Sequence, residues 1–355
     1  MYGFRSNRSE VGEIRYSFIK IKYQIEKYLS VHTMGSSIVF DKPTRYPEKE
    51  RHMALKKIRN EVGNAIFSLP YHVARELGFF TEEGLELEFV SRFSGYDRGA
   101  IDTIRFIDDP RQIKAFGLRS PFEAGESHLY RACEWGQVRR TQDSSVGGQV
   151  IAKRSAKVSQ AIIVRPDSPV NIPQDLANIP VGVNFHHGSH YVALQTLEGF
   201  LPREEIKVVH MDGVNRFLAL QAGRIEAAAV MEPWITVAEK LGYKIIAQAH
   251  YVGLEVASPD LDQATFDAIN RAVQKAVDLL QKDPYPFVKY LIQEVDSSIV
   301  ELEPTDFPRN RLRYTEASPY SEEDFQRTYN WMLSWGLLEP DTYNHIVDNR
   351  ISAVA

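Results

Sequence analysis

The feature that most constrains this chain is an alternation that begins at Lys57. Lys57-Ile58-Arg59-Asn60-Glu61-Val62-Gly63 reads as a first strand, 64–69 as a loop, and 70–77 as a helix opened by Pro70, whose missing N–H is no loss in a first turn. Gly78 closes that helix in the usual C′ role. A turn over 79–84 leads to Leu85-Glu86-Leu87-Glu88-Phe89-Val90, which alternates strictly, as a half-buried strand does. Strands separated by helices predict an α/β layer architecture. The chain's 355 residues, 43% hydrophobic and 25% charged, suit a globular protein of two domains or one large one.

Charge and cysteine usage narrow the partners. The net charge is −5 with no basic stripe, so nothing points to nucleic acid. No run approaches the roughly eighteen apolar residues that membrane insertion needs. Cys133 is the one cysteine, so no disulfide framework exists within the chain. Residues 1–53 carry 10 lysines and arginines against 6 aspartates and glutamates, a basic segment ahead of an acidic body. Ile14, Phe18, Ile21, Ile25 and Leu29 fall at helical spacing there, while alternation around Lys20 and Lys22 equally allows a strand. Charges interrupt every apolar stretch of this segment, so no secretory core is read, and a cytoplasmic location is expected. A periplasmic location is the alternative if the true N-terminus differs. Met53 opens what looks like a natural start, and residues 1–53 are read as an N-terminal extension.

Two motifs carry a resemblance. The stretch from Leu69 through Gly78-Phe79-Phe80-Thr81-Glu82-Glu83-Gly84-Leu85 to Glu88 resembles the opening of the nitrate/sulfonate/taurine-type ABC-transporter solute-binding proteins. Leu218-Ala219-Leu220-Gln221-Ala222-Gly223-Arg224-Ile225-Glu226-Ala227, continuing to Met231-Glu232-Pro233-Trp234, is similar to a second segment of that family, with Glu226 where aspartate is commoner. The resemblance covers roughly 57–300. It implies an α/β, two-lobed type II periplasmic-binding-protein-like fold with the ligand cleft between the lobes. Residues 54–157 and 252–355 would form the first lobe and 158–251 the second, with closing helices at 265–281, 285–294 and 322–335. Thiamine-pyrimidine synthases, sulfinate desulfinases and aromatic-acid decarboxylases share this fold.

The cleft is expected where strands end and helices begin. The loop Gly182-Val183-Asn184-Phe185-His186-His187-Gly188-Ser189-His190-Tyr191 follows a strand that starts near Ile179 and precedes a helix over 192–198. Such a loop presents free backbone N–H groups. Gly188 permits close approach, Ser189 is placed to cap the helix, and three imidazoles crowd one turn. The first lobe would add Ile66, Phe67 and Tyr71 from its opening loop. It would also add Glu126 or Ser127, at the end of a strand over 122–125 and the start of a helix over 129–136. The second lobe would add Glu232 and Trp234, the latter placed to cover a flat ligand.

Two functions remain open at this stage. One is binding of a small anionic or aromatic or heterocyclic acid and its delivery to an ABC transporter permease. The other is a cytoplasmic enzyme on the same scaffold, a decarboxylase or a desulfinase-like lyase, with His187, His186 and Glu126 as candidate proton-transfer groups. Cys133, read as lying within the helix over 129–136, is expected to be a buried inert thiol rather than a nucleophile. His187 and His190 match no zinc signature even with Glu126 or Glu232 added, so no metal and no cofactor is assigned.

Overall fold

The computed structural model describes residues 54–91, 109–115, 121–144, 148–211, 215–340 and 346–351. The chain divides into residues 1–52 and residues 53–355, and the account below concerns the second unit. The helical or extended reading of 14–29 lies outside the described residues.

One nine-stranded sheet runs through the unit in the order β2-β1-β3-β8-β4-β7-β5-β6, with β9 (Arg313–Tyr314) pairing β4 off this path. On one side are β1 (Lys56–Val62), β2 (Leu85–Ser91) and β3 (Leu129–Cys133), mutually parallel in the order 2-1-3. On the other side are β5 (Pro180–Val183), β6 (Lys207–His210) and β7 (Ala227–Met231), parallel in the matching order. Between them lie two long antiparallel strands, β4 (Gln149–Val164) and β8 (Lys244–Ala257). The ladder is antiparallel at both flanks, β3 with β8 and β4 with β7. Two similar α/β halves are thus joined by a shared pair of crossing strands.

The helices are α1 (Ala65–Glu76), α2 (Phe79–Glu82), α3 (Glu134–Asp143), α4 (Gly188–Leu197), α5 (Asn215–Gln221), α6 (Trp234–Lys240), α7 (Gln263–Lys282), α8 (Lys289–Ile292) and α9 (Glu322–Ser334). Helix α7 follows the amphipathic rule: Phe266, Ile269, Val273, Ala276, Val277 and Leu280 recur at three- and four-residue spacing and are buried. Asp262 caps it, its carboxylate accepting from the Thr265 N–H at 2.7 Å. One core cluster holds α1, α4 and α7 against the sheet, and a second packs α5 and α6 on the opposite face of β4 and β7.

Several sequence expectations need correction, and the strand expected over 122–125 is a turn. The 64–69 loop is helical, with Pro70 inside α1 rather than at its start. Pro70 has no N–H to give to the Ile66 carbonyl one turn back. The Tyr314 hydroxyl donates to that carbonyl instead, at 3.2 Å, which is how the helix continues through a proline. The helix expected over 129–136 splits into strand β3 and helix α3. Side chains on both faces of β3 are buried, Leu129, Tyr130, Ala132 and Cys133 among them, and a strand of that kind loses its alternating signature. The closing helix over 285–294 is one short turn (Tyr285–Phe287) followed by α8, whereas those over 265–281 and 322–335 are α7 and α9.

Candidate functional site

The register of the crossing strands locates the seam between the halves. Strand β3 ends at Cys133, opposite Gly253 of β8. Strand β7 ends at Met231, opposite Gln160 of β4, which in turn faces Ala249 of β8. The carboxyl ends of both parallel sets therefore aim at the short interval around Tyr251 and its partner Val158. Ligands of open α/β sheets sit outside such strand ends.

Tyr251 receives a contact from each side. From α1 comes Phe67, ring centroids 6.0 Å apart, and from α3 comes Trp135 at 5.6 Å. From the second half comes Gly188, the first residue of α4: a Cβ there would lie 2.3 Å from the Tyr251 hydroxyl and 2.7 Å from Cζ. Only a glycine lets the tyrosine rest on the opening of this helix. Among the described residues, neither the Gly188 nor the Ser189 N–H has a hydrogen-bond partner, as expected for the first turn of a helix. Two further buried groups of this region lack partners: Trp135 Nε1 and the side-chain amide of Gln160, which is 2% exposed. Arg216 of α5 is buried beside Gly182, its Cγ 3.8 Å from where a Cβ of that glycine would be. Its charge acts on Tyr251, partly offsetting the burial that pushes the phenol well above its ordinary value.

The histidines divide into braces and one cleft candidate. His186 takes a left-handed backbone (φ 62°), unusual for a residue with a side chain, and is fully buried. Its Nε2 lies 2.6 Å from the Pro110 carbonyl, which can only accept, so Nε2 carries the proton. Burial lowers its pKa to about 4, so the ring is neutral and Nδ1 accepts from the Tyr191 hydroxyl at 3.0 Å. His190 is also fully buried, and its Nδ1 accepts from the His186 N–H at 3.4 Å. Burial holds it well below the ordinary imidazole range. These two rings fix the loop and stay uncharged at neutral pH. His187, half-buried, occupies the N-cap of α4. Ser189 does not cap the helix. Its hydroxyl accepts from the Asn184 N–H at 3.0 Å and tightens the loop that leads in.

The other expected contacts lie elsewhere. Glu126 is exposed and Ser127 buried at the amino end of β3, the far end from the seam. Ser127 Oγ accepts from the Glu61 N–H at 2.8 Å and donates to the Leu129 carbonyl at 2.9 Å, a structural bridge between strands. Glu232 is fully buried, paired with Arg311 at 2.5 Å and accepting from the Thr236 N–H at 3.2 Å. Trp234 packs on Phe217 in the second core, 5.1 Å between centroids, instead of covering a ligand. Ile66 is core, and Tyr71 is buried with its hydroxyl donating to Glu255 at 2.6 Å. Cys133 is not within a helix: it ends β3 and caps α3, with Sγ accepting from the Gly136 N–H at 3.3 Å. It is buried, as expected, and burial pushes its thiol up to about 12, so little thiolate exists at neutral pH. Among the described residues no group of three or more His, Cys, Asp or Glu side chains could hold a metal ion, and no helix is long and apolar enough to cross a membrane.

Comparison with known proteins places this geometry. The model of the NMT1-like family matches residues 144–283, a span that includes β4, α4 and β8 with Tyr251, but not Phe67 or Trp135. The alkanesulfonate-binding protein SsuA from Xanthomonas axonopodis pv. citri, solved bound to MOPS, superposes with a TM-score of 0.60 at 15% identity, over 83% of this chain and 98% of that one. The periplasmic aliphatic sulphonate-binding protein SsuA from Escherichia coli gives 0.59 at 13%, over 82% and 96%. The chain has the periplasmic-binding-protein fold. A Candida albicans gene product, described as defining a new family with that generic fold, gives 0.58 at 16%, over 83% and 96%. No curated protein sequence matches the chain. The resemblance to the nitrate/sulfonate/taurine-type solute-binding proteins is borne out by the family match and by these neighbours.

What sequence reading missed is Tyr251, Trp135, Gln160 and Arg216. Tyr251 and Gln160 sit mid-strand, and only the β4–β8 register reveals that they lie at the seam. Arg216 had a signal in the sequence, an arginine in the first turn of the helix with which the second family-like motif begins.

Proposed function

We propose that this protein binds a small organic anion, a sulfonate or an aromatic or heterocyclic acid, at the seam between its halves. The acid group lies against the Gly188 and Ser189 N–H groups at the start of α4, with His187 and the Arg216 guanidinium as its charged and polar neighbours. Phe67, Trp135 and Tyr251 face the carbon skeleton. The observation that carries this reading is the pair of unpartnered N–H groups beside Tyr251, at the one interval toward which both sets of parallel strands point. The sulfonate-binding neighbours of the same fold support the ligand class. In this reading the protein hands its ligand to an ABC transporter permease. Location distinguishes where that happens: recovery of the native protein in a periplasmic fraction supports export, and recovery in the cytosol retains the location expected from the sequence.

The binding test is calorimetry with a panel of alkanesulfonates, arylsulfonates and aromatic carboxylates. At least one should bind, and Arg216→Ala and His187→Ala should each weaken it by tenfold or more, about 1.4 kcal/mol. A panel without a single binder, or a bound acid indifferent to both substitutions, overturns the assignment. The enzyme alternative gains no support from the geometry, because His186 and His190 are neutral braces and Glu126 is remote from the seam.

A further inference from the structure

Beneath α1, one turn along from Phe67, lies a charged cluster that the ligand site does not use. Arg131 of β3, Arg154 of β4 and Glu255 of β8 meet on the sheet face that α1 and α7 cover, with side chains 3%, 3% and 1% exposed. Glu255 Oε1 accepts from the Tyr71 hydroxyl at 2.6 Å and lies 3.4 Å from Arg131 Nη1. Glu255 Oε2 is 3.1 Å from Arg154 Nε, without the alignment of a hydrogen bond. Arg131 Nη2 donates to Asn60 Oδ1 and to the Glu61 carbonyl, both at 3.0 Å, and Arg154 Nη1 to Asn270 Oδ1 at 3.2 Å. The Arg131 guanidinium also stacks over the Tyr71 ring, 4.0 Å from its centroid.

Two things are unbalanced. Two guanidinium groups share one carboxylate, and Tyr71, Asn60 and Asn270 add no charge. The Glu61 carboxylate projects from the opposite face of β1, where it accepts from the Phe122 N–H and faces Arg140. Donors also outnumber acceptors: Asn60 Nδ2, Arg131 Nε and Arg154 Nη2 are buried with no hydrogen-bond partner. A buried cation without a counter-charge is destabilising, and each unmet donor adds to that. Arg154 Nε and Glu255 Oε2, also without an aligned hydrogen bond, face each other at 3.1 Å and offset one another; the three groups that remain are donors beside an excess of positive charge, so an occupant must accept hydrogen bonds and carry negative charge.

We propose that this cluster binds a small inorganic anion of halide size, held by Arg131 Nε, Arg154 Nη2 and Asn60 Nδ2. The site is separate from the ligand seam and serves to stabilise the first half of the fold. It makes the melting temperature depend on the anion present, not on ionic strength alone.

The probe is chloride. At constant ionic strength, replacing sodium gluconate by sodium chloride should raise Tm by at least about 2 °C, saturably. Crystals grown in sodium bromide should show an anomalous peak in contact with the three unmet nitrogens. Asn60→Asp keeps the oxygen that Arg131 uses and installs the missing charge, so it should melt higher than wild type in gluconate and lose its response to chloride. Equal Tm in both salts together with a water at the bromide position overturns the proposal, as does an Asn60→Asp protein that still responds to chloride like wild type. If Asn60→Asp does not fold, the wild-type salt comparison and the bromide peak decide alone.

Discussion

Gly188 has the most consequential backbone position at the seam, and its role is spatial rather than conformational. Its φ is not in the left-handed region, so an alanine suits the helix; what opposes it is the Tyr251 hydroxyl, 2.3 Å from the new Cβ. Gly188→Ala should therefore cost about 1–3 kcal/mol through overpacking. In a Tyr251→Ala background the same substitution should cost less than about 0.5 kcal/mol, giving a coupling energy of at least about 0.5 kcal/mol. Urea denaturation of the four proteins measures this, and additive costs would mean that the two residues do not press on each other. The sequence located this loop because glycine, serine and histidines cluster in it, but it held Gly188 in the loop ahead of a helix over 192–198, whereas α4 opens at Gly188 itself. It misjudged the roles within the loop. Which imidazole is buried depends on Pro110 and Tyr191, and no local pattern records that pairing.

At the scale of elements, legibility followed the environment on each side of a segment. Strand β2 alternates because one of its faces is half exposed, and it was read correctly, as were the helices expected over 265–281 and 322–335, which are α7 and α9. Strand β3 and the start of α1 were misread because their stabilising partners are remote: β8 for the first, Tyr314 and Glu294 for the second. Glu294 Oε1 accepts from the Ala65 N–H at 2.6 Å, at the opening of α1. Burial pushes its pKa to about 7, with hydrogen bonds from Ala65 and Asn64 pulling the other way. A carboxyl whose folded pKa lies above its unfolded one adds stability below about pH 4.5 and loses it as pH rises through about 7. Glu294→Gln keeps the acceptor and removes the titration. Wild type should thus lose stability relative to Glu294→Gln between pH 4.5 and 8, by on the order of 1–3 kcal/mol. Parallel pH profiles for the two proteins would show that Glu294 titrates normally in the fold.

On the scale of the whole molecule, each half is a 2-1-3 parallel set, and neither closes its sheet without β4 and β8. This is why Gln160 and Tyr251, midway along those strands, belong to both halves at once. The α/β class and the pair of family-like segments were legible because they are local; the seam was not, because it depends on a register between strands about ninety residues apart in sequence. The same arrangement bears on residues 1–52. The first strand starts at Lys56, and among the described residues the partners that fix that start come from later in the chain. The Lys56 N–H donates to the Gly84 carbonyl at 3.0 Å, and its ammonium contacts Asp262 and Thr265, each at 2.6 Å. The lateral neighbours of β1 are β2 and β3. A chain starting at Met53 therefore retains every contact described for the sheet, and it should fold, melt within about 2 °C of the full-length protein and bind the same acid with unchanged affinity. Calorimetric melting and ligand titration of the two chains side by side test this. A drop of 4 °C or more, about 1–2 kcal/mol for a unit of this size, would show that residues 1–52 contribute to the stability of the fold that follows them.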